Sequence, residues 1–266
     1  MYKSLKKLGL ISLLSISAVV GAVAPAAADQ LDDILKAGTI KVGVPENFPP
    51  FGSVGKDFKH EGYDVDVAAL IAEDLGVKLE LVPITSKQRI PFLTTGKIDL
   101  VVSSMGANPE RAKSIWFSNA YAPFFSGAFA SKDKSISSAA DLKGMKIAVT
   151  GGTIEDLELS KNLPEGAELK RFGDNAATIS AFISKQVDVI VTGNTVAAKI
   201  GKENPKLEME TKFIVRQSPA FIGIKPGEMN MLMWTNVFIL HKTLGGNLNE
   251  LSQKWLGQKL PALPTL

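Results

Sequence analysis

Two short stretches of this chain put an arginine where it can grip an anion. In the first, the strand-like run Lys97-Ile98-Asp99-Leu100-Val101-Val102 leads into Ser103-Ser104-Met105-Gly106-Ala107-Asn108-Pro109-Glu110-Arg111. The strand is expected to stop at the two hydroxyls and the glycine, with Asn108 as an N-cap and Pro109 as the first residue of a helix. Arg111 then falls in the first turn, beside free backbone N–H groups and the positive end of the helix dipole. That setting suits a carboxylate, which a guanidinium can hold through two parallel hydrogen bonds. The alternative is a capped surface helix with its arginine in solvent. In the second stretch, Thr85-Ser86-Lys87-Gln88-Arg89-Ile90-Pro91, Arg89 follows Ser86 by one helical turn on the same face. A second buried carboxylate needs a cation of its own, and hydrogen bonds to charged groups contribute about 1.5–3 kcal/mol. Otherwise Arg89 caps or salt-bridges a surface helix.

Other chemistry is poorly represented. His60 and His241 are the only histidines, lie far apart and have no ligand spacing, and there is no cysteine. Disulfides, thiolate metal sites and a lipid anchor through an N-terminal cysteine are therefore excluded, and no metal or cofactor is expected. The N-terminus reads as a secretory signal: Lys3, Lys6 and Lys7, an apolar core from Leu8 to Val23, and the small residues Ala26-Ala27-Ala28. A cut after Ala28 leaves Asp29 first. It removes three of the 30 basic residues and no acid, so 27 basic residues face 27 acidic ones. A formally neutral mature chain lacks the basic stripe of a nucleic-acid binder. Export without an anchor points to the periplasm, and the length allows one large domain or two small lobes.

The elements that must position these residues follow from periodicity. A helix over Gln30 to Ala37 ends at Gly38, and Thr39 to Val44 alternates as a strand before the Pro-rich loop Pro45 to Phe51. Tyr63 to Leu75 has helical spacing closed by Gly76, Leu79 to Val82 is a strand, and a helix from about Ser86 to Thr95 leads to the strand at Lys97. A second series begins near residue 141. It comprises strand Lys146 to Val149, the loop Thr150-Gly151-Gly152-Thr153, helix Ile154 to Lys161, strand Glu168 to Phe172, helix Ala176 to Ser184 and strand Val187 to Val191. Ala120 to Ala130 and Pro219 to Ile224 are extended and can carry the chain out of one lobe and back. Helices fill Asn230 to Leu256. Alternating strands and helices predict parallel sheets with crossover helices, in two α/β lobes that face a hinged cleft.

The order Gly-Tyr-Asp-Val-Asp (62–66), Gly-Lys-Ile-Asp-Leu (96–100), Ser-Ser…Glu-Arg (103–111), Leu-Lys-Gly (142–144), Gly-Gly-Thr (151–153), Val-Asp (187–188) and Lys-Trp-Leu-Gly (254–257) resembles the periplasmic solute-binding proteins of polar amino-acid ABC transporters. The likeness covers essentially all of the mature chain. It implies an α/β fold with two lobes, type II topology and two hinge crossings. Residues 29–124 and 220–266 would form lobe 1 and residues 125–219 lobe 2. It also implies a monomer that hands a small ligand to a membrane permease. By the resemblance, Arg111 clamps the ligand α-carboxylate and Ser104, next to Ser103, bonds its α-amino or α-carboxyl end. Thr153 and the N–H groups around Gly152 add the second lobe's share. Phe48 covers the ligand side chain as an aromatic lid, or else packs within its own Pro-rich loop. The Thr-Ser-x-x-Arg-Ile-Pro pattern is similar to the aspartate/glutamate-binding branch, where the serine and arginine, here Ser86 and Arg89, bind the side-chain carboxylate.

Two departures matter. Relatives hold the ligand ammonium with an aspartate just past the Val-Asp pair, where this chain has Thr192-Gly193-Asn194-Thr195. Asn194 offers one weaker hydrogen bond. Pro45 stands where one acidic-amino-acid branch has a further arginine. Either Glu46 or a backbone carbonyl takes the ammonium, or the ligand is a dicarboxylate or keto acid without one. An enzyme is the rival class, since a few relatives are cyclohexadienyl dehydratases with an acid in a Gly-Gly-Thr-x-Glu loop, which Gly151 to Glu155 matches. A carboxyl near a helix N-terminus tends to stay ionised rather than donate a proton, which argues against it. A sensor ectodomain would need a membrane helix and an output domain, and the chain supplies neither.

Overall fold

The computed structural model describes residues 29–266, so the expected signal segment 1–28 lies outside the described residues. Two five-stranded sheets make two lobes. The first contains β1 (Thr39–Pro45), β4 (Lys78–Ile84), β5 (Leu100–Gly106), β6 (Trp116–Ala122) and β12 (Ala220–Ile224), in the order β4-β1-β5-β12-β6. The small hairpin of β2 (Ser53–Val54) and β3 (His60–Glu61) stands apart from it. The second contains β7 (Phe125–Ser131), β8 (Lys146–Thr150), β9 (Glu168–Phe172), β10 (Val189–Gly193) and β11 (Met209–Gln217), in the order β11-β7-β10-β8-β9.

Both sheets are mixed rather than parallel as the alternation predicted. β1 runs parallel to β4 and β5, but β12 is antiparallel to β5 and β6. β7 is likewise antiparallel to β10 and β11. The antiparallel strands are those next to the crossings, because a chain that leaves one sheet and later returns has no crossover helix to restore its direction. The two crossings, Pro123-Phe124 and Ser218-Pro219, run side by side, joined where Ser218 N–H donates to the Phe124 carbonyl at 3.1 Å.

Local signals explain the helices. In α1 (Gln30–Ala37) the Asp29 side chain accepts from Asp32 N–H and Gly38 closes the helix in the left-handed conformation. α2 (Tyr63–Leu75) starts at Gly62, φ 140°, where a Cβ would strike the Phe51 carbonyl. It buries Val67, Ala68 and Ile71 against the first sheet. α3 is shorter than expected, Arg89–Thr94, because Thr85 to Gln88 form a turn closed by Gln88 N–H to the Thr85 carbonyl. β5 also starts and ends later than expected, and Ser103 and Ser104 lie inside it. α4 (Pro109–Ala112) opens as predicted, with Asn108 Oδ1 accepting from Arg111 N–H at 2.7 Å. In the second lobe, α5 (Ile154–Leu159) covers one face of the sheet, while α6 (Asn175–Ile183) and α7 (Asn194–Glu203) cover the other. α7 and β11 were not anticipated. The C-terminal region forms α8 (Met229–Leu244), α9 (Asn247–Leu251) and a π-turn over Ser252–Leu256. There Trp255 Nε1 and Lys254 Nζ both donate to Asp66 Oδ2 at 2.7 Å, which ties the tail to α2.

Candidate functional site

The two-residue period of β5 separates its hydroxyls. Val101 and Met105 pack on the side of α3, Leu100 and Val102 on the side of α2. Ser103 therefore points toward α3, where its Oγ accepts from Arg89 Nε at 3.1 Å. Ser104 falls on the other side, and its N–H donates to Tyr121 Oη at 3.1 Å. Ser104 has a φ of 39°, a left-handed conformation that costs a non-glycine residue energy and turns the chain toward Gly106. β5 thus supports Arg89 from one face and leads directly to Arg111.

Both arginines are buried, each 6% exposed. Arg111 Nη1 donates to the Gly106 carbonyl at 2.6 Å, and Nη2 reaches across the lobes to the Gly152 carbonyl at 2.9 Å. Burial, together with the neighbouring Arg89 charge, pulls the Arg111 pKa down to about 10, while Glu155 opposes. Burial likewise lowers Arg89, against Glu155 and Asp64, which favour its charged form. Among the described residues, no hydrogen bond engages Arg89 Nη1 or Nη2. The fold therefore holds two like charges together, with only partial compensation from acids.

These groups converge on a cavity of about 10 Å³, room for roughly one water molecule. Ser86, Arg89, Ser104 and Arg111 line it from the first lobe, and Thr153 and Glu155 from the second. Phe48 and Phe124 form its aromatic wall, their ring centres 6.2 Å apart. Phe48 also stacks on Phe51 at 5.8 Å, so it packs within its own loop as well as on the cavity. Ser86 Oγ and Ser104 Oγ are buried without a hydrogen-bond partner. Outside Arg111 the cleft widens into a groove of about 350 Å³ between Lys87, Glu110 and Gly152.

Beneath Ser104 lies a buried network that sequence reasoning missed. Tyr121 Oη donates to Asp64 Oδ1 at 2.6 Å, while Asp64 Oδ2 has no partner. Burial raises the Asp64 pKa to about 7, opposed by the Tyr121 hydrogen bond, the Arg89 charge and the Ser104 N–H. An acid in the first turn of a helix is usually solvated, so nothing local in the sequence marks Asp64 as buried. Asn175 also borders the cavity, and its Oδ1 accepts from Thr150 Oγ1 at 2.8 Å.

Several expected site residues take other roles. Ser103 supports Arg89 from behind rather than lining the cavity. Thr153 lines it, but its hydroxyl is committed to capping α5, donating to the Thr150 carbonyl and accepting from Asp156 N–H. Gly152 N–H is taken by Asp156 Oδ2. Its φ of 81°, which favours glycine, accompanies a carbonyl that accepts from Arg111. The structure does not bring Asn194 to the cavity. It begins α7, its Oδ1 accepts from Phe125 N–H at 3.2 Å, and it borders a separate groove of about 770 Å³ with Pro49, Lys199 and Trp255. That groove is the largest described, yet neither arginine reaches it.

Comparison with known proteins finds relatives along most of the chain and the same two-lobed fold. The chain is 28% identical over 253 residues to the L-cystine-binding protein TcyJ of Escherichia coli, covering 93% of this chain and 94% of that protein. A glutamate/aspartate import solute-binding protein of Salmonella typhimurium is 37% identical over 145 residues, 52% of this chain and 48% of that protein. Among solved structures, the ancestral amino acid-binding protein AncCDT-1, described as a precursor of cyclohexadienyl dehydratase, superposes with a TM-score of 0.78. It is 34% identical and the match covers 85% of this chain and 99% of that one. Residues 40–258 match the bacterial extracellular solute-binding proteins, family 3, and the chain belongs to that family.

Proposed function

We propose that this protein is the periplasmic solute-binding component of an ABC importer for a polar amino acid, and that an acidic amino acid fits its cleft best. The single observation carrying the reading is the pair of buried arginines on one interlobe cavity, Arg111 bonded to carbonyls and Arg89 to a hydroxyl. Holding two cations together without matching acids is unfavourable unless anionic groups arrive to compensate. Arg111 would take the α-carboxylate. Ser86 and Arg89 would take a side-chain carboxylate, with Phe48 and Phe124 against the aliphatic part. The relatives' names support amino acids as a class, and they span cystine, glutamine and glutamate/aspartate.

Capture would proceed by hinge closure about Pro123-Phe124 and Ser218-Pro219, with residues 29–124 and 220–266 moving against 125–219. A ligand bridging Arg111 and the Gly152-Thr153 loop shifts the balance only by its differential affinity for the closed form, which the permease would then recognise. No helix among the described residues is long and apolar enough to cross a membrane.

A thermal-shift screen of amino acids, dicarboxylates and keto acids tests the reading. A ligand at 100 times its Kd stabilises the fold by about 2.7 kcal/mol. For a chain of this size that is a rise in Tm of roughly 5–10 °C. Acidic amino acids are expected to give it. No shift with any carboxylate would refute the proposal. A second reading, a cyclohexadienyl dehydratase-like enzyme, draws on Glu155 at the cavity and on the likeness to AncCDT-1. It would replace the first if the purified protein turned over prephenate or arogenate.

A further inference from the structure

We infer that the solvent face of α8 is an interface between two copies of this chain, packed antiparallel about a two-fold axis at Val237. The inference does not depend on which ligand the cleft takes. α8 (Met229–Leu244) is apolar on two opposite sides. One side, with Met231, Phe238 and Ile239, is buried in the core of the first lobe. On the other, Met229, Met233, Val237, Leu240 and Leu244 stay 52% to 79% exposed. The helix contains no acid, and its single lysine, Lys242, is buried and donates to Asp74 Oδ1 at 2.8 Å. The exposed face therefore carries no carboxylate or ammonium group. A helix that is apolar all round is normally covered on both sides.

The five residues follow one another at spacings of four, four, three and four, which puts them within about 80° of arc at 100° per residue. The pattern reads nearly the same in both directions from Val237, with Met233 and Met229 one way and Leu240 and Leu244 the other. A two-fold axis at Val237 would set Met229 against the partner's Leu244, Met233 against the partner's Leu240, and Val237 against the partner's Val237. That is the self-complementary pairing a two-fold interface requires. Each side chain leaves on the order of 100 Å² in water, so the stripe amounts to on the order of 500 Å², the upper part of the range for one patch on a soluble monomer. Paired with a second copy it would bury on the order of 1,000 Å², enough for a specific but weak dimer.

Other occupants fit less well. A helix that lies on a lipid surface is flanked by lysines and arginines, whereas this stripe is flanked by Asn230, His241 and Thr243. A membrane partner that reads lobe closure must touch both lobes. α8 packs on α1, β6 and α9, all of the first lobe, and none of its residues lines the interlobe cavity. Association through α8 would therefore leave both clefts free, and it departs from the monomer that the resemblance implies.

The test is sedimentation equilibrium of the protein purified after export, of Val237→Glu, of Val237→Lys and of an equimolar mixture of the two variants. The wild type should dimerise with a Kd on the order of 100 μM. Each variant alone sets like charges face to face on the axis and should associate at least about 30-fold more weakly. The mixture has opposite charges there and should recover at least about tenfold of that loss. Both variants should melt within about 2 °C of the wild type, because position 237 is exposed. A wild type that stays monomeric, variants that dimerise as it does, or a mixture no better than its components would overturn the inference. A monomer that instead cosediments with phosphatidylglycerol vesicles would overturn it as well and assign the stripe to a lipid surface.

Discussion

Replacing Arg111 with methionine separates binding from folding more cleanly than any other single change. In the structure the side chain makes two hydrogen bonds to carbonyls, Gly106 at 2.6 Å and Gly152 at 2.9 Å. Losing them leaves a buried carbonyl short of a donor, a cost of about 1–3 kcal/mol. Against this, the change removes a buried cation from beside Arg89, which opposes its charge. Methionine keeps much of the volume and adds apolar contact. The two effects have opposite signs and similar size, so the ligand-free Tm should move by no more than about 4 °C. Binding has no such compensation. A carboxylate that has lost its buried guanidinium partner forfeits about 2–5 kcal/mol, or roughly 30- to 4,000-fold in Kd. Calorimetric titration with the ligand found by the thermal-shift screen reads that loss, and circular dichroism melts read the stability. An unchanged Kd, or a collapse in ligand-free stability large enough to explain the lost binding, would refute the reasoning. Arg111→Lys should fall between the two, since it keeps the charge but not the two-pronged geometry.

Arg89→Met should weaken dicarboxylic amino acids by at least tenfold more than neutral ones, as read by competition titration. Equal losses would remove Arg89 from the side-chain subsite. Asp64→Asn should change how stability varies with pH. In the folded protein the Asp64 pKa is raised to about 7 by burial, against about 4 in the unfolded chain, so between these values only the folded form holds the proton. Stability should therefore fall as pH rises from about 4 to 7, by up to about 4 kcal/mol, and level off above. Asp64→Asn keeps an acceptor for the Tyr121 hydroxyl and should flatten that slope in urea melts. A slope identical to the wild type would mean that another group titrates.

The local features of the site were legible because local chemistry governs them. Asn108 caps α4 through the backbone of Arg111, three residues away, and needs no distant partner. Arg89 and Arg111 could be named as candidates from residue type and spacing, but their meeting depends on β5. Its alternation turns Ser103 toward one arginine, and its end positions the other. The burial of Asp64 was invisible, since it is set by Tyr121, 57 residues away in sequence. Asn194 entered as an ammonium acceptor through the resemblance alone, whereas the chain enters α7 there and the amide oxygen accepts from Phe125 N–H. β11 escaped notice because it is an edge strand with two register irregularities and only partial burial, so its apolar residues do not alternate cleanly. The parallel sheets predicted from strand–helix alternation failed at the strands flanking the crossings, where connectivity between lobes determines direction.

The central claim is that Arg89 and Arg111 face one gap and close on a single ligand bearing two anionic groups. A crystal structure of the protein grown with its best-stabilising acidic amino acid tests it most directly. The account predicts one carboxylate within 3.2 Å of Arg111 Nη atoms and the other within the same reach of Arg89 and Ser86. A ligand lodged in the groove beside Asn194 and Trp255, or one bound with Arg89 turned away from it, would contradict the account.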